Sequence, residues 1–564
     1  MKNITETIRQ QIKAAVRNSI NIAVANEELP ELEINDILIE IPREKGHGDF
    51  STNIAMQITK AAKKAPRQIA EIIINNIDVK DTYIQKVTCA GPGFINFTLD
   101  IRYLYDAMEI IKEEKDKYGR INIGNGKKVM VEFVSANPTG PLHMGNARGG
   151  ALGDCIASVL DAAGYDVTRE FLINDAGNQM EKFGTSLEAR YIQLIKGPDA
   201  VAFPEDGYQG EDITEHMREF IEIHRDKYID VASEERKKVF VDYALPINIA
   251  RIREGLESYG IHFDVWFSEQ TLHKNNEVIE TIQLLKEKGC TVEHDGAVWL
   301  KGSVIGSDKD EVLIRNNGIP TYFAADIAYH RNKFEKRGFE WVINLWGADH
   351  HGHVARMKAA MAALGINPDK LDVVLFQLVR LYRNGEIARM SKRTGKSISL
   401  MDLVEEVGRD AVRFIFNTKA SGTHLDFDMD LAVKQSNENP VFYVQYAHAR
   451  ICSMLKLLES EGINVPDISE INLELLTAPE EFELIKKLSE YPDEIRISAE
   501  TLEPSRLTRY VLDVAALFHS FYNACRVRGE EKQLMNARLM LVDCTRIVIR
   551  NVLDLLSISA PERM

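Results

Sequence analysis

The sequence predicts a multidomain α/β protein: a doubly wound parallel-sheet core between an N-terminal α+β domain and a C-terminal all-α helical bundle. Three observations predict it. Between residues 128 and 376, β-rich runs alternate with helical stretches, the pattern of βαβ units. After about Asp430 the strand signal vanishes and long amphipathic segments follow one another, as in a helical bundle. The 564 residues, 45% hydrophobic, are ample for buried cores and too many for one ordinary domain.

Residues 5–25 carry apolar positions at helical spacing (Ile8, Ile12, Ala15, Val16, Ile20). Ile37–Pro42 reads as a strand, Gly46-His47-Gly48-Asp49 as a tight turn, and a helix is expected from Ser51. Gly91-Pro92-Gly93 turns into an alternating strand that reaches Leu99. The sheet is expected to start with Lys128–Val134 and to continue with residues 167–173, 341–346 and 371–376. Residues of about 185–310 read as an insertion rich in Glu and Lys, with a hairpin at Thr291–Leu300 around Asp295-Gly296. The bundle helices are expected at 438–460, 478–500, 505–528 and 533–557. The expected division is 1–120, 121–429 and 430–564.

The net charge of −16 argues, as a sum, against a nucleic-acid partner. Its distribution is less one-sided: Thr501–Arg550 holds eight Lys/Arg against five acids. On charge alone that stretch reads as a solvated helix surface. The six cysteines form no CxxC pair and no zinc-type spacing, which suits a reducing compartment. The N-terminus lacks the basic-then-apolar order of a signal peptide, and no apolar run is long enough to span a bilayer. A cytosolic protein is expected.

Two segments carry chemistry. After the first sheet strand come Ser135-Ala136-Asn137-Pro138-Thr139-Gly140-Pro141-Leu142 and then His143-Met144-Gly145-Asn146, which open a helix. Two prolines and Gly140 make a rigid loop, Gly145 lets a flat base approach, and His143 can donate to a phosphate. The helix start adds free N–H groups and a positive dipole end. In isolation His143-x-Gly145 reads as an ordinary strand–helix turn with a buried histidine. The second segment, Arg389-Met390-Ser391-Lys392, follows the turn Arg383-Asn384-Gly385. Taken alone it is as readily an exposed basic hairpin tip as a phosphate-binding loop.

Together and in this order, about 250 residues apart, the segments resemble the HIGH and KMSKS signatures of class I aminoacyl-tRNA synthetases. Ala136–Asn146 resembles the arginyl form, with Asn146 in place of the last HIGH histidine and Arg389 in place of the first KMSKS lysine. The resemblance implies a Rossmann-type catalytic domain. ATP would lie against Ala136–Asn146, Gly347, Asp349, His350, Met390, Ser391 and Lys392. His143, Asn146 and Lys392 would act in catalysis, and Mg²⁺ would arrive with ATP.

Thr321-Tyr322-Phe323-Ala324-Ala325-Asp326 resembles the family's tyrosine-x-x-x-aspartate motif. At i and i+4, Tyr322 and Asp326 share a helix face, and a carboxylate suits a guanidinium. The resemblance adds Glu132, Ser135, Asn137, Asn146 and His350 to the arginine site. His350, His351 and His353 beside Asp349 form a possible ligand set, but the family shows this segment without a metal, so none is expected.

For tRNA, the resemblance implies contacts from Phe94 and Asn96 at one end and from Tyr443, Tyr446, Arg450, Tyr522 and Arg526 at the other. Aromatic residues with interleaved Arg can stack bases, although helical periodicity alone reads Tyr443 and Phe518 as core. Phe203–Gly210 also resembles a family segment near the tRNA acceptor end, where the residues alone read only as a turn. The implied reaction forms arginyl-adenylate and then esterifies the terminal adenosine of the arginine tRNA, releasing AMP and pyrophosphate. The enzyme is expected to act as a monomer. A tRNA-independent adenylyl transferase would leave the bundle unexplained. A non-catalytic RNA-binding relative should lack His143 or Lys392, and both are present.

Overall fold

The computed structural model describes residues 3–34, 36–42, 44–388 and 398–564. At its centre is a five-stranded parallel sheet: β1 (Lys128–Glu132), β2 (Asp166–Ile173), β3 (Val265–Ser268), β4 (Trp341–Gly347) and β5 (Leu371–Phe376). The order is β5-β4-β1-β2-β3. Val129, Met130 and Val131 are all buried, as a strand covered on both faces requires. The order reverses direction beside β1, so a crevice opens where β1 and β4 end, the usual ligand position in such sheets.

Three helices frame that crevice: α1 (Met144–Ala162), α2 (Tyr322–Arg331) and α3 (His351–Leu364). The seat of α1 depends on missing side chains. A Cβ at Gly153 would stand 2.3 Å from Phe133, and one at Gly149 2.9 Å from Phe376. The helix therefore lies directly on the residues that follow β1 and end β5. Buried Arg148 on α1 donates to the Gln377 and Ala420 carbonyls at 2.7 and 3.1 Å, and burial lowers its pKa to about 10.

Several expectations need correction. β1 ends at Glu132, not Val134, because Phe133–Ser135 forms a γ-turn: the Ser135 N–H donates to the Phe133 carbonyl, and Val134 and Ser135 have φ of 67° and 38°. The outer strand β3 comes from inside the stretch read as an insertion. Ser51 lies in a strand, Phe50–Thr52, because its backbone pairs with Asn96, and the helix starts at Ile54. Ile37–Pro42 forms one bridge, Glu40 to Ser51, and no strand. The 478–500 segment is two helices, Pro479–Ser489 and Tyr491–Thr501, parted where Pro492 lacks the N–H to continue the first.

The N-terminal unit joins the helix Ile4–Ala25 to a three-stranded antiparallel sheet, and the last region is helical, as expected. The two ends of the chain touch. Arg9 pairs with Asp493 at 2.6 Å, Lys486 with Asp49 at 2.5 Å, and Asn551 donates to the Lys115 carbonyl at 2.8 Å. Among the described residues, no helix is long and apolar enough to cross a membrane.

Candidate active site

One cavity of about 1360 Å³ occupies the crevice. The loop after β1 lines it through Ser135, Ala136, Asn137, Thr139, Gly140, Pro141, His143, Gly145 and Asn146. From the other side come Tyr322, Asp326, Gly347, Asp349 and His350, and Glu132 lies at the floor. The two halves of the expected site thus meet in one space. Pro138, Leu142 and Met144 support the loop without lining the cavity. Met390, Ser391 and Lys392 lie outside the described residues. The chain beyond them returns to the site, where Ser399 bridges His143 and the Leu400 N–H donates to the Leu142 carbonyl at 2.9 Å.

The nucleotide half is built on capping. His143 is the N-cap of α1, and its Nδ1 accepts from the Gly145 N–H at 3.1 Å. That leaves the ring proton on Nε2. The cleft walls lower the pKa of His143, which favours the neutral ring. Asn146 Oδ1 accepts from the His143 N–H at 3.0 Å and completes the capping box. Behind the loop, buried Asn248 donates to the Pro138 carbonyl at 3.0 Å and accepts from His216 Nε2 at 2.7 Å. Asn174, also on the cavity, donates to Asn137 Oδ1 at 3.0 Å.

The opposite half is charged. Thr321 caps α2, which places Tyr322 and Asp326 on the cavity. The Tyr322 hydroxyl accepts from the Asn178 N–H at 2.8 Å. Asp326 Oδ2 stands 3.1 Å from His353 Nε2. His353 was legible only as part of a histidine-rich segment; the acidic partner that makes it useful lies 27 residues earlier. His350 and Asp349 are exposed and face each other at 3.6 Å.

The Glu132 carboxylate is not a free anion. Ser135 donates to Oε1 at 2.9 Å, and Lys333 Nζ, with a fully buried side chain, meets Oε2 at 2.6 Å. Next to this pair Tyr329 donates to Glu170 at 2.5 Å, and Arg337 pairs with the same carboxylate. Burial and the two carboxylates hold the Tyr329 hydroxyl far above its usual pKa. Sequence reasoning missed Lys333, Tyr329, Glu170, Arg337, Asn174 and Asn248. Lone charged or polar residues, whether on a helix, a strand or a connection, carry no local signal that they point inward.

In the bundle, Arg450 lies 3.9 Å over the Tyr522 ring. Tyr446 stacks on Phe442 and on His519, which also meets Tyr443. Phe518 is core, as its periodicity suggests. Arg506, Arg528, Arg538 and Arg546 of the basic stretch form ion pairs with Glu494, Glu461, Glu481 and Asp543, so its excess charge is largely compensated. In the N-terminal sheet Asn96 is only 4% exposed, held between two strands, so its side chain is not presented at the surface; Phe94 is half-buried.

Comparison with known proteins agrees along the whole chain. Residues 2–99 match the arginyl tRNA synthetase N terminal domain, 108–436 the class I (R) tRNA synthetase catalytic domain, and 444–564 the DALR anticodon binding domain. The arginine–tRNA ligase of Ruminiclostridium cellulolyticum is 84% identical and that of Acetivibrio thermocellus 71%, each over the full length of both chains. The solved arginyl-tRNA synthetase of Thermus thermophilus, 22% identical, shares the fold with a TM-score of 0.73, covering 98% of this chain and 100% of its own. The chain therefore belongs to the arginyl-tRNA synthetase family of class I aminoacyl-tRNA synthetases.

Proposed function

We propose that the cavity carries both steps by which this arginine–tRNA ligase works: activation of L-arginine with ATP, and transfer of arginine to the 3′-terminal adenosine of its tRNA. The observation that supports this most is the single cavity that collects a neutral, donor-rich loop and a carboxylate-bearing helix. In the first step the arginine carboxylate attacks the α-phosphorus and pyrophosphate leaves. In the second the adenosine 2′-hydroxyl attacks the arginyl carbonyl and AMP leaves.

His143 donates from Nε2 to a phosphate oxygen as its charge grows, a contact stronger in the transition state than before it. Asn146 holds the His143 backbone. The loop Ala136–Gly145 and the start of α1 cradle the nucleotide, with Gly347, Asp349 and His350 on its far side. Asp326 takes the guanidinium, assisted by Tyr322, Ser135, Asn137 and Glu132. Met390, Ser391 and Lys392 are assigned by family resemblance to the leaving pyrophosphate. Mg²⁺ enters bound to ATP oxygens.

Phe94 and the Tyr443–Tyr446–Arg450–Tyr522–Arg526 surface meet the tRNA, the latter by stacking and cation–π contact. The units 1–120, 121–429 and 430–564 then hold the tRNA body, the chemistry and the anticodon. We assign a monomer in the cytoplasm. Pyrophosphate exchange against all twenty amino acids, with and without total tRNA, tests the reading. Arginine alone should support exchange, and more strongly with its tRNA. Exchange with lysine or glutamine instead rejects the specificity.

A further inference from the structure

Beneath the cavity a chain of buried polar groups joins its two halves. It begins at the nucleotide loop, where Ser135 donates to Glu132 Oε1 at 2.9 Å. Glu132 Oε2 and Asn344 Oδ1 both accept from Lys333 Nζ, at 2.6 and 3.1 Å. The Asn344 amide donates to His330 Nε2 at 2.6 Å, and His330 Nδ1 donates to the Asp326 carbonyl at 2.8 Å. The direction of every link is fixed. Asn344 must give its oxygen to the ammonium, so its NH₂ faces the imidazole, and the imidazole must carry its proton on Nδ1.

Lys333 sits at the branch of this chain. Its side chain is fully buried, and Nζ also lies 4.1 Å above the Tyr329 ring. All three ammonium protons thus have a partner. The residue is delivered there by a π-turn, Asn332–Lys336, that follows α2 directly. Such turns recur at functional sites. A buried ion pair is costly to assemble and adds little stability over an apolar pair of the same shape. Stability is therefore a poor reason for a lysine here, and the placement of its partners is a better one.

We propose that Lys333 is a positioning residue for amino-acid activation. It holds the Glu132 carboxylate against the cavity floor. Through Asn344 and His330 it also holds the backbone of Asp326, so that a guanidinium meets a pre-set pair of carboxylates. One of the two is compensated by Lys333, which leaves the pocket matched to a single positive charge. This inference rests on the reading of the cavity as the arginine site, and it deepens that reading.

The test is pyrophosphate exchange by the full chain, with total tRNA present and with arginine and ATP varied separately, for Lys333→Met, Glu132→Gln, their double variant and Lys333→Arg. Lys333→Met should raise the arginine KM on the order of 100-fold, the scale of a displaced substrate contact. The ATP KM should move by roughly threefold or less. Adding Glu132→Gln should cost little more, because both substitutions break one unit, and Lys333→Arg should recover part of the loss. If Lys333→Met does not fold, the neutral double variant carries the test, since a near-isosteric apolar–amide pair is tolerated where a lone buried charge is not. An unchanged arginine KM in a folded variant, or equal rises for arginine and ATP, would overturn the proposal. Absence of arginine-dependent exchange in the unsubstituted protein would instead reject the underlying reading.

Discussion

The two halves of the cavity solve opposite problems with opposite materials. The nucleotide half must hold a polyanion, and its described loop offers neutral groups: a histidine with its proton on Nε2, a helix N-terminus and a backbone braced by the side-chain amides of Asn248 and Asn174. The amino-acid half must hold a cation, and it offers two carboxylates, Asp326 and Glu132, of which Glu132 is already matched by buried Lys333. The comparison teaches that, among the described residues, neither half relies on raw charge excess. Dipoles aimed at developing charge need no reorganisation in the transition state, and matched buried ions fix direction more than they add attraction.

The division makes the halves separable by mutation. His143→Ala should produce the largest loss, a fall in the exchange rate constant of about 10²–10³-fold, as removal of one transition-state donor does. Arginine affinity, read by calorimetry, should stay near that of the unsubstituted protein; a matching loss there would break the division. Asp326→Asn should lower kcat/KM for arginine by about 100-fold, on the scale of a charge-assisted contact, and leave the ATP KM in place. Asn248→Ala should raise the ATP KM by about tenfold by freeing the Pro138 carbonyl from its buried donor. An effect on arginine instead would mean that the loop serves both substrates.

The smallest effect concerns pH. Burial and Lys333 hold His330 well below the ordinary histidine pKa, whereas the unfolded chain protonates near 6.5. Stability from this group is therefore complete above about pH 6.5 and is lost as pH falls toward the folded value. The melting temperature should fall by about 1–3 °C between pH 7.5 and 5.5 from this residue. His330→Gln should flatten that slope, and an unchanged slope would show that the imidazole is not buried neutral.

Legibility in the sequence follows the same division. The nucleotide half is written in consecutive residues, because a loop and a helix start are local objects, and Ala136–Asn146 could be read by resemblance to a single signature. The amino-acid half is written across four elements. Tyr322 and Asp326 were readable by resemblance to the family's tyrosine-x-x-x-aspartate motif, their i, i+4 spacing placing them on one helix face. Lys333 was not, because a lysine on a helix usually faces solvent, and here a π-turn sends it inward. The γ-turn at Val134 was hidden for a related reason. A β-branched residue at positive φ goes against local preference, and only packing around the site sustains it. In the fold, β3 was missed because its four residues are too few for a periodic signal and follow three charged helices.

The contact between the two ends of the chain bears on how a ribosome makes this protein. Arg9 finds Asp493, and the backbone around Lys115 finds Asn551, only after the residues between them have been made. At translation speeds of about 5–20 residues per second, the first-made unit waits on the order of half a minute to a minute and a half for its mate. During that interval the surface destined for the bundle stands open, so a chain cut short before the bundle helices should yield aggregates rather than a slightly weaker ligase.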